Sequence, residues 1–199
     1  MKIYPVVILA ILFFSGCATV LPEQRLNHQG NVALDLNNYS AAIKNYNEAF
    51  GVAERTGNQQ YAAIAAYGLG RAYGYSCNFE EAEKWLKKSI FLRKSIPDSE
   101  IAYLSQNYLE LARLYVSWDR WPEAVSKFQS AMPLLKGLNI EARDPIGYAN
   151  VLEDFKISLS QIGDKDKAKQ IKEKINSLRI GHSNRTAAFK PKPYPRKCT

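Results

Sequence analysis

Apolar residues recur every three or four positions along most of the chain, from about residue 23 to about residue 180. This spacing places apolar side chains on one face of a helix, whereas half-buried strands alternate with a period of two. Short polar stretches interrupt the pattern, and their Asn, Asp and Gly residues favour turns and helix starts. These stretches are Asn37-Asn38, Cys77-Asn78, Asp119-Arg120 and Gly163-Asp164. The pattern predicts an all-α fold built from helical hairpins.

The segments around these turns are internal repeats. Residues 30–50, 70–90 and 112–132 align without gaps, and residues 156–176 form a weaker fourth copy. Their first residues are 40, 42 and 44 positions apart. A hairpin with one apolar face cannot bury that face alone, so successive hairpins must stack. The sequence therefore predicts about four stacked helix pairs, at about residues 23–58, 59–97, 98–140 and 144–180.

The residue types at equivalent positions form a recognisable motif. An L-G-x-x-Y pattern in the first helix is followed by an aromatic that opens the second helix and by an alanine three positions later. The pattern is carried by Leu69, Gly70 and Tyr73, by Leu111, Ala112 and Tyr115, by Tyr39, Phe79 and Trp121, and by Ala42, Ala82, Ala124 and Ala168. This motif resembles the tetratricopeptide repeat. The resemblance implies a right-handed α-solenoid that binds proteins and is not an enzyme.

The first sixteen residues predict an export signal. Lys2 precedes the apolar run Ile3–Phe14, which is too short to cross about 30 Å of hydrocarbon comfortably. The run ends in F-S-G-C, which resembles the lipobox of bacterial lipoproteins, although Phe14 stands where Leu is usual. The resemblance implies cleavage before Cys17, a lipid such as palmitate on Cys17, and a linker over residues 17–22. The alternative is ordinary cleavage after Ala18, which would release the protein.

The positive charge is concentrated at the C-terminal end. The formal net charge is +8, yet residues 17–178 hold 20 basic and 19 acidic residues. The last 21 residues hold six basic residues and no acidic one. A basic tail on a nearly neutral body does not indicate a nucleic-acid-binding surface. We expect residues 181–199, which include K-P-K-P-Y-P-R-K, to form an extended, disordered tail. This tail either binds an anionic surface or an acidic protein, or is simply solvated.

No set of residues typical of catalysis is present. The two histidines, His28 and His182, are far apart in the sequence, and no metalloprotease, nucleophile-elbow or paired-cysteine motif occurs. The glycines Gly68, Gly70 and Gly74 lack the spacing of a nucleotide-binding loop. We therefore predict no catalytic residue, no metal site, no cofactor and no enzymatic activity.

The family resemblance implies a peptide-binding groove along the first helices of the pairs. The residues at its equivalent positions are Asn31, Arg71 and Arg113, with Tyr67 beside them. A guanidinium group holds a carboxylate with two parallel hydrogen bonds. This predicts protein or peptide partners with acidic or C-terminal segments. The alternative is that Arg71 and Arg113 pair internally with Glu110 and Asp154.

Two cysteines besides Cys17 are present, Cys77 and Cys198. In an oxidising compartment they could form a disulfide, or Cys77 could be a small turn residue only. Together these features predict a membrane-anchored periplasmic scaffold for envelope assembly, in pilus, secretion, outer-membrane or polysaccharide machinery. The residue after Cys17, Ala18, implies the outer membrane. The alternatives are a fixed structural subunit of an envelope complex and a regulator of a cell-wall enzyme.

Overall fold

The computed structural model describes residues 20–96, 101–188 and 191–196. The regular structure of these residues is entirely helical, which confirms the predicted all-α class. The helices are α1 (Pro22–Asp35), α2 (Tyr39–Thr56), α3 (Gln59–Tyr75), α4 (Phe79–Ser95), α5 (Ile101–Ser117), α6 (Trp121–Gly137), α7 (Ile140–Arg143), α8 (Pro145–Gln161) and α9 (Lys165–Gly181). The predicted signal at residues 1–16, Cys17 and Cys198 lie outside the described residues.

Eight of these helices form four hairpins: α1 with α2, α3 with α4, α5 with α6, and α8 with α9. Each hairpin packs on the next, through α2 against α3, α4 against α5 and α6 against α8. The short helix α7 lies in the connection between the third and fourth hairpins. It occupies the extra residues that make the last repeat offset the longest. The result is the predicted solenoid of about four helix pairs.

The hairpin turns share one local conformation. A residue with positive φ is followed by the residue that caps the second helix, as in Asn37 (φ 58°) before Asn38 and Gly163 (φ 84°) before Asp164. The capping side chains of Asn38, Asn78 and Asp164 each accept a hydrogen bond from the backbone N–H three residues later. These bonds satisfy donors that the start of a helix leaves without a partner.

Small residues allow the helices to approach closely. Tyr46 of α2 is fully buried, and its ring lies between Gly30 of α1 and Gly68 of α3. A Cβ atom at Gly30 or Gly68 would lie 2.5 Å or 2.4 Å from that ring. A Cβ atom at Gly70 would lie 2.5 Å from Leu86. Glycines on the first helices of the hairpins therefore make room for the large side chains of the second helices.

The chain after α9 differs from the predicted disordered tail. The Arg185 guanidinium donates hydrogen bonds to the carbonyls of Ala142 (3.4 Å) and Arg143 (3.0 Å), and the Ala188 N–H donates to Asp144. Residues 191–196 form neither helix nor strand, yet they pack against the solenoid. The prediction rested on local composition, which carries no information about a complementary surface elsewhere in the chain. Among the helices of the described residues, none has the length and apolar character needed to cross a membrane.

Candidate functional site

The candidate site is a groove along α3, α5 and α8, the first helices of three successive hairpins. We call this surface the inner groove. It contains two adjoining cavities of about 310 Å³ and 380 Å³. The smaller cavity includes Tyr67, Arg71 and Glu110 in its wall, the larger includes Asp154, and Arg113 lines both. The groove therefore brings together three of the four predicted binding residues.

The fourth predicted residue, Asn31, lies apart from these cavities. Asn31 is on α1 and is exposed. Its side-chain oxygen accepts a hydrogen bond of 2.7 Å from the Tyr46 hydroxyl. Since Tyr46 is the residue that packs between Gly30 and Gly68, Asn31 supports the packing of the first hairpin.

Glu110 of α5 is the central residue of the inner groove. It is buried, with 5% of its surface exposed. Its two carboxylate oxygens accept hydrogen bonds from the hydroxyls of Tyr67 (3.2 Å) and Tyr194 (2.6 Å). The Arg71 Nε lies 3.8 Å from one of these oxygens. A buried carboxylate needs such donors, because burial removes its hydration.

Both predicted arginines form internal ion pairs. Arg71 pairs with Glu110 and lies between the rings of Tyr67 and Tyr75, 5.7 Å and 5.8 Å from their centroids. The Arg113 Nε lies 3.5 Å from Asp154. The structure thus shows the internal pairing that the sequence left open as an alternative. A carboxylate ligand would have to compete with Glu110 and Asp154 for these guanidinium groups.

The phenols that face Glu110 remain hydrogen-bond donors. Burial raises the pKa of Tyr67 and of Tyr194 well above the ordinary value, and the nearby Glu110 carboxylate raises both further. An ionised phenol beside Glu110 would place two negative charges together in a region shielded from water. Both hydroxyls therefore stay protonated and donate to the carboxylate.

The C-terminal tail occupies the inner groove through Tyr194. Only 3% of Tyr194 is exposed. Its ring packs against Tyr75 with 4.7 Å between centroids, and its carbonyl accepts a 3.4 Å hydrogen bond from the Ser117 hydroxyl. A Cβ atom at Gly74 would lie 2.4 Å from the Tyr194 ring. Gly74 therefore opens a slot that the Tyr194 side chain fills.

Lys192 extends the same contact towards the first hairpin. Its carbonyl accepts a 3.1 Å hydrogen bond from the Tyr75 hydroxyl. Its ammonium group lies 4.8 Å from the Tyr75 centroid and 5.5 Å from the Tyr39 centroid, and it donates a hydrogen bond to Asn37. The tail therefore contacts the first three hairpins, and Arg196 lies in the wall of the larger cavity, which α8 also lines.

Sequence reasoning missed three features of this site: Gly74, Glu110 as its centre, and Tyr194. Two signals were present. Tyr194 is an aromatic residue flanked by Pro193 and Pro195 in an otherwise polar tail, and Gly74 lies within a helix, where glycine is unfavourable without a packing reason. Neither signal identifies the other residue, because they are 120 positions apart in the sequence.

A third and larger cavity of about 980 Å³ lies at the last hairpin, between α6, α8 and α9. Its wall includes Leu135, Tyr148, Phe155 and Ile171, with lysines among the other lining residues. None of the four predicted binding residues lies there. Over the described ranges, no group of three or more His, Cys, Asp or Glu side chains is arranged to hold a metal ion.

The fold and the groove define a helical-repeat protein with a surface suited to an extended peptide. Residues 25–95 match the family described as tetratricopeptide repeat. This match confirms the tetratricopeptide resemblance drawn from the sequence. Repeats of this family imply a scaffold for protein–protein interaction. No curated protein matches the sequence.

The fold is similar to that of solved structures. The crystal structure of BtubC (BKLC) from P. vanneervenii superposes with a TM-score of 0.74 at 16% identity, over 89% of this chain and 70% of that one. At this identity the likeness shows the fold alone. The MamA protein (TM-score 0.47, 14% identity, 85% of this chain and 98% of that one) and TPR-like repeats from Podosopora anserina (0.49, 16%, 84% and 100%) are less similar.

Proposed function

We propose that this protein is a lipid-anchored periplasmic scaffold whose inner groove binds an extended segment of a protein partner in envelope assembly. One observation carries the proposal: the inner groove of a tetratricopeptide-type solenoid already holds an extended segment, residues 191–196. The contacts run from the α1–α2 turn to α5. A surface that holds one extended segment through side chains of successive repeats is suited to hold another.

The geometry favours a different partner from the acidic peptide expected from Arg71 and Arg113. Both guanidinium groups already face carboxylates, Glu110 and Asp154. The segment that occupies the groove is basic and carries Lys192 and Arg196. The proposed partner segment therefore binds without a carboxylate at the arginines. Pilus, secretion, outer-membrane and polysaccharide machinery, or a cell-wall enzyme under regulation, are the settings in which we propose such a partner.

The proposed anchor rests on the F-S-G-C motif at residues 14–17 and on the start of the fold. Helix α1 begins at Pro22, five residues after Cys17. Five extended residues span at most about 18 Å, so lipid on Cys17 would hold the solenoid close to the membrane surface. Cys77 is disulfide-bonded, and disulfides persist in oxidising compartments such as the periplasm. Ala18 after Cys17 supports the outer membrane.

A fixed structural subunit is the second candidate, and the cavity of about 980 Å³ favours it. The apolar residues Leu135, Phe155 and Ile171 line this cavity between the third and fourth hairpins. A permanent neighbour would fill this apolar cavity, whereas an exchangeable partner would occupy the inner groove.

Site-specific photo-crosslinking in intact cells tests the groove. A photoreactive residue at Gln106, which is exposed in the wall of the smaller cavity, should crosslink a partner that mass spectrometry then identifies. The matched control is the same residue at Ser126, which is exposed on α6. Crosslinking at Gln106 alone supports the scaffold. Equal crosslinking at both positions supports a fixed subunit, and crosslinking at neither removes the groove proposal.

Labelled palmitate tests the anchor. The wild-type protein and Cys198→Ala should incorporate the label and fractionate with outer membranes, whereas Cys17→Ala should do neither. Label in none of the three proteins, or equal label in all three, would end the lipoprotein proposal. The groove proposal would survive that result, because it rests on different residues.

A further inference from the structure

We infer that the inner groove recognises a tyrosine that is flanked by prolines and preceded by a basic residue, and that the tail residues 191–196 are an internal copy of the partner's segment. This inference rests on the proposed function, since it names the chemistry of the segment that the groove binds. In the free protein the tail fills the site, and a partner must displace it.

The shape of the site selects an aromatic side chain. The slot exists because residue 74 is glycine: a Cβ atom there would lie 2.4 Å and 2.9 Å from two Tyr194 ring carbons. Tyr75 packs against the ring from one side, with 4.7 Å between centroids and the ring planes tilted by 38°. A buried ring of this size dominates the contact area of a short segment. A segment without an aromatic residue at this position would leave the slot empty.

The chemistry of the slot selects a hydroxyl donor. The Tyr194 hydroxyl lies 2.6 Å from a carboxylate oxygen of the buried Glu110. A hydrogen bond to a charged acceptor is stronger than one between neutral groups. Phenylalanine would fill the slot without supplying the donor. An acidic residue would bring a second negative charge to Glu110, so the slot excludes the acidic ligand that the arginines first indicated.

The contacts on either side of the ring recognise an extended main chain. The hydroxyls of Tyr75 and Ser117 donate to the carbonyls of Lys192 (3.1 Å) and Tyr194 (3.4 Å), two residues apart. Proline has no N–H to leave unsatisfied and favours extended backbone, so Pro193 and Pro195 lower the cost of ordering the segment. The Lys192 ammonium group lies over the rings of Tyr39 and Tyr75. This contact is the reason for a basic residue before the tyrosine in the recognised segment.

An external partner has contact surface that residues 191–196 leave open. The cavity of about 310 Å³ adjoins Pro191 and continues between Tyr67, Gln106 and Leu109. A tethered segment competes at an effective concentration on the order of millimolar. A partner segment that reaches into this cavity would gain contacts that residues 191–196 do not make. This extra surface gives the partner a means to displace the tail.

The inference is tested with the hexapeptide P-K-P-Y-P-R, labelled with a fluorophore and titrated with full-length protein. Wild-type protein should bind it weakly, because its own tail fills the slot. Tyr194→Ala should bind at least about tenfold more tightly. A peptide with Phe in place of Tyr should bind Tyr194→Ala about tenfold more weakly than the original. Cys77 is disulfide-bonded. Each titration is therefore run with and without reductant, so that the effect of this disulfide on peptide affinity is measured separately.

A second substitution separates the slot from general effects on folding. Gly74→Ala added to Tyr194→Ala should abolish the gain in affinity. The matched control is Gly51→Ala in the same background, because Gly51 lies within α2 and a Cβ atom there meets only the flexible Arg55 side chain at 3.4 Å. The control should keep the affinity of Tyr194→Ala, with an unchanged helical circular dichroism signal for all variants.

Three results would overturn the inference. One is equal peptide binding by wild type and Tyr194→Ala when both are folded. Another is peptide binding that Gly74→Ala leaves intact. The third is a concentration-dependent dimer that Tyr194→Ala converts to a monomer, since the tail would then belong to the groove of a second copy. If photo-crosslinking at Gln106 captures a partner that this peptide cannot compete away, the scaffold proposal stands and only the tyrosine specificity fails.

Discussion

The Tyr194 hydroxyl and the Glu110 carboxylate form a 2.6 Å hydrogen bond across 84 positions of the sequence. The bond joins the C-terminal tail to the middle of α5, in the interior of the inner groove. The second oxygen of Glu110 accepts from Tyr67 of α3. One buried carboxylate therefore links the second hairpin, the third hairpin and the tail.

Removing the Tyr194 hydroxyl should destabilise the protein measurably. Tyr194→Phe keeps the ring in its slot but leaves one oxygen of Glu110 without that donor. We expect the free energy of unfolding to fall by about 1–3 kcal/mol, measured by urea denaturation followed by circular dichroism. Tyr103→Phe, at an exposed position, should change it by less than about 0.5 kcal/mol. Equal losses in the two variants would contradict the role of the bond.

Alkaline pH should lower the stability of the folded protein. The pKa values of Tyr67 and Tyr194 in the folded protein are raised well above 10.0, mainly by burial and then by Glu110. Above pH 10 the unfolded chain therefore loses protons that the folded protein keeps, and stability falls as pH rises. Below that pH both states keep these protons, and the two phenols cause no pH dependence.

Thermal unfolding at increasing pH, together with tyrosinate absorbance, measures this effect. Tyr194→Phe should show a smaller loss of stability above pH 10 than the wild type, because one of the two phenols is absent. An identical pH profile for the two proteins would contradict the prediction.

Adding a methyl group at Gly68 should strain the contact with Tyr46. The new Cβ atom would lie 2.4 Å from the ring, so we expect Gly68→Ala to cost about 1–3 kcal/mol of stability in chemical denaturation. Gly51→Ala should stabilise α2 by roughly 0.5–1 kcal/mol, because alanine loses less backbone entropy than glycine. In a Tyr46→Leu background the cost of Gly68→Ala should become smaller. An unchanged cost would place the strain elsewhere.

The capping side chain of Asn78 should contribute to the stability of the second hairpin. Its oxygen accepts a 3.2 Å hydrogen bond from the Glu81 N–H at the start of α4. Asn78→Ala should lower stability by about 1 kcal/mol, whereas Asn78→Asp should retain the cap. Asn47→Ala, on the exposed face of α2, is the control and should not lower stability in thermal unfolding. Equal effects of Ala and Asp at position 78 would argue against capping.

The repeat pattern determined where the predicted binding residues lie, but not which groups they contact. Arg71 and Arg113 do line the inner groove, because their repeat positions determine which helix face carries them. Their ion pairs with Glu110 and Asp154 were one of two alternatives, since spacing alone does not determine whether a guanidinium group faces a ligand or a neighbouring helix. Tyr67 was placed in the groove, but its bond to Glu110 depends on the packing of α3 against α5.

The packing of the tail against the solenoid could not be predicted from the sequence. Composition correctly indicated a segment without helix, but it predicted disorder for residues that pack against the solenoid. The free energy that orders the tail comes from the Gly74 slot and from Glu110, both more than 80 positions earlier in the chain. Local propensity does not include such contacts.

The sequence by itself determined the helical hairpins, the positions of their turns and the need for them to stack. These features follow from interactions within a few residues: apolar spacing along a helix, and capping by Asn and Asp. The tertiary structure alone decided that Glu110 is the centre of the groove and that Tyr194 fills the slot at Gly74. Those contacts form only when three helices and the tail converge, so their energy depends on distances that no local pattern encodes.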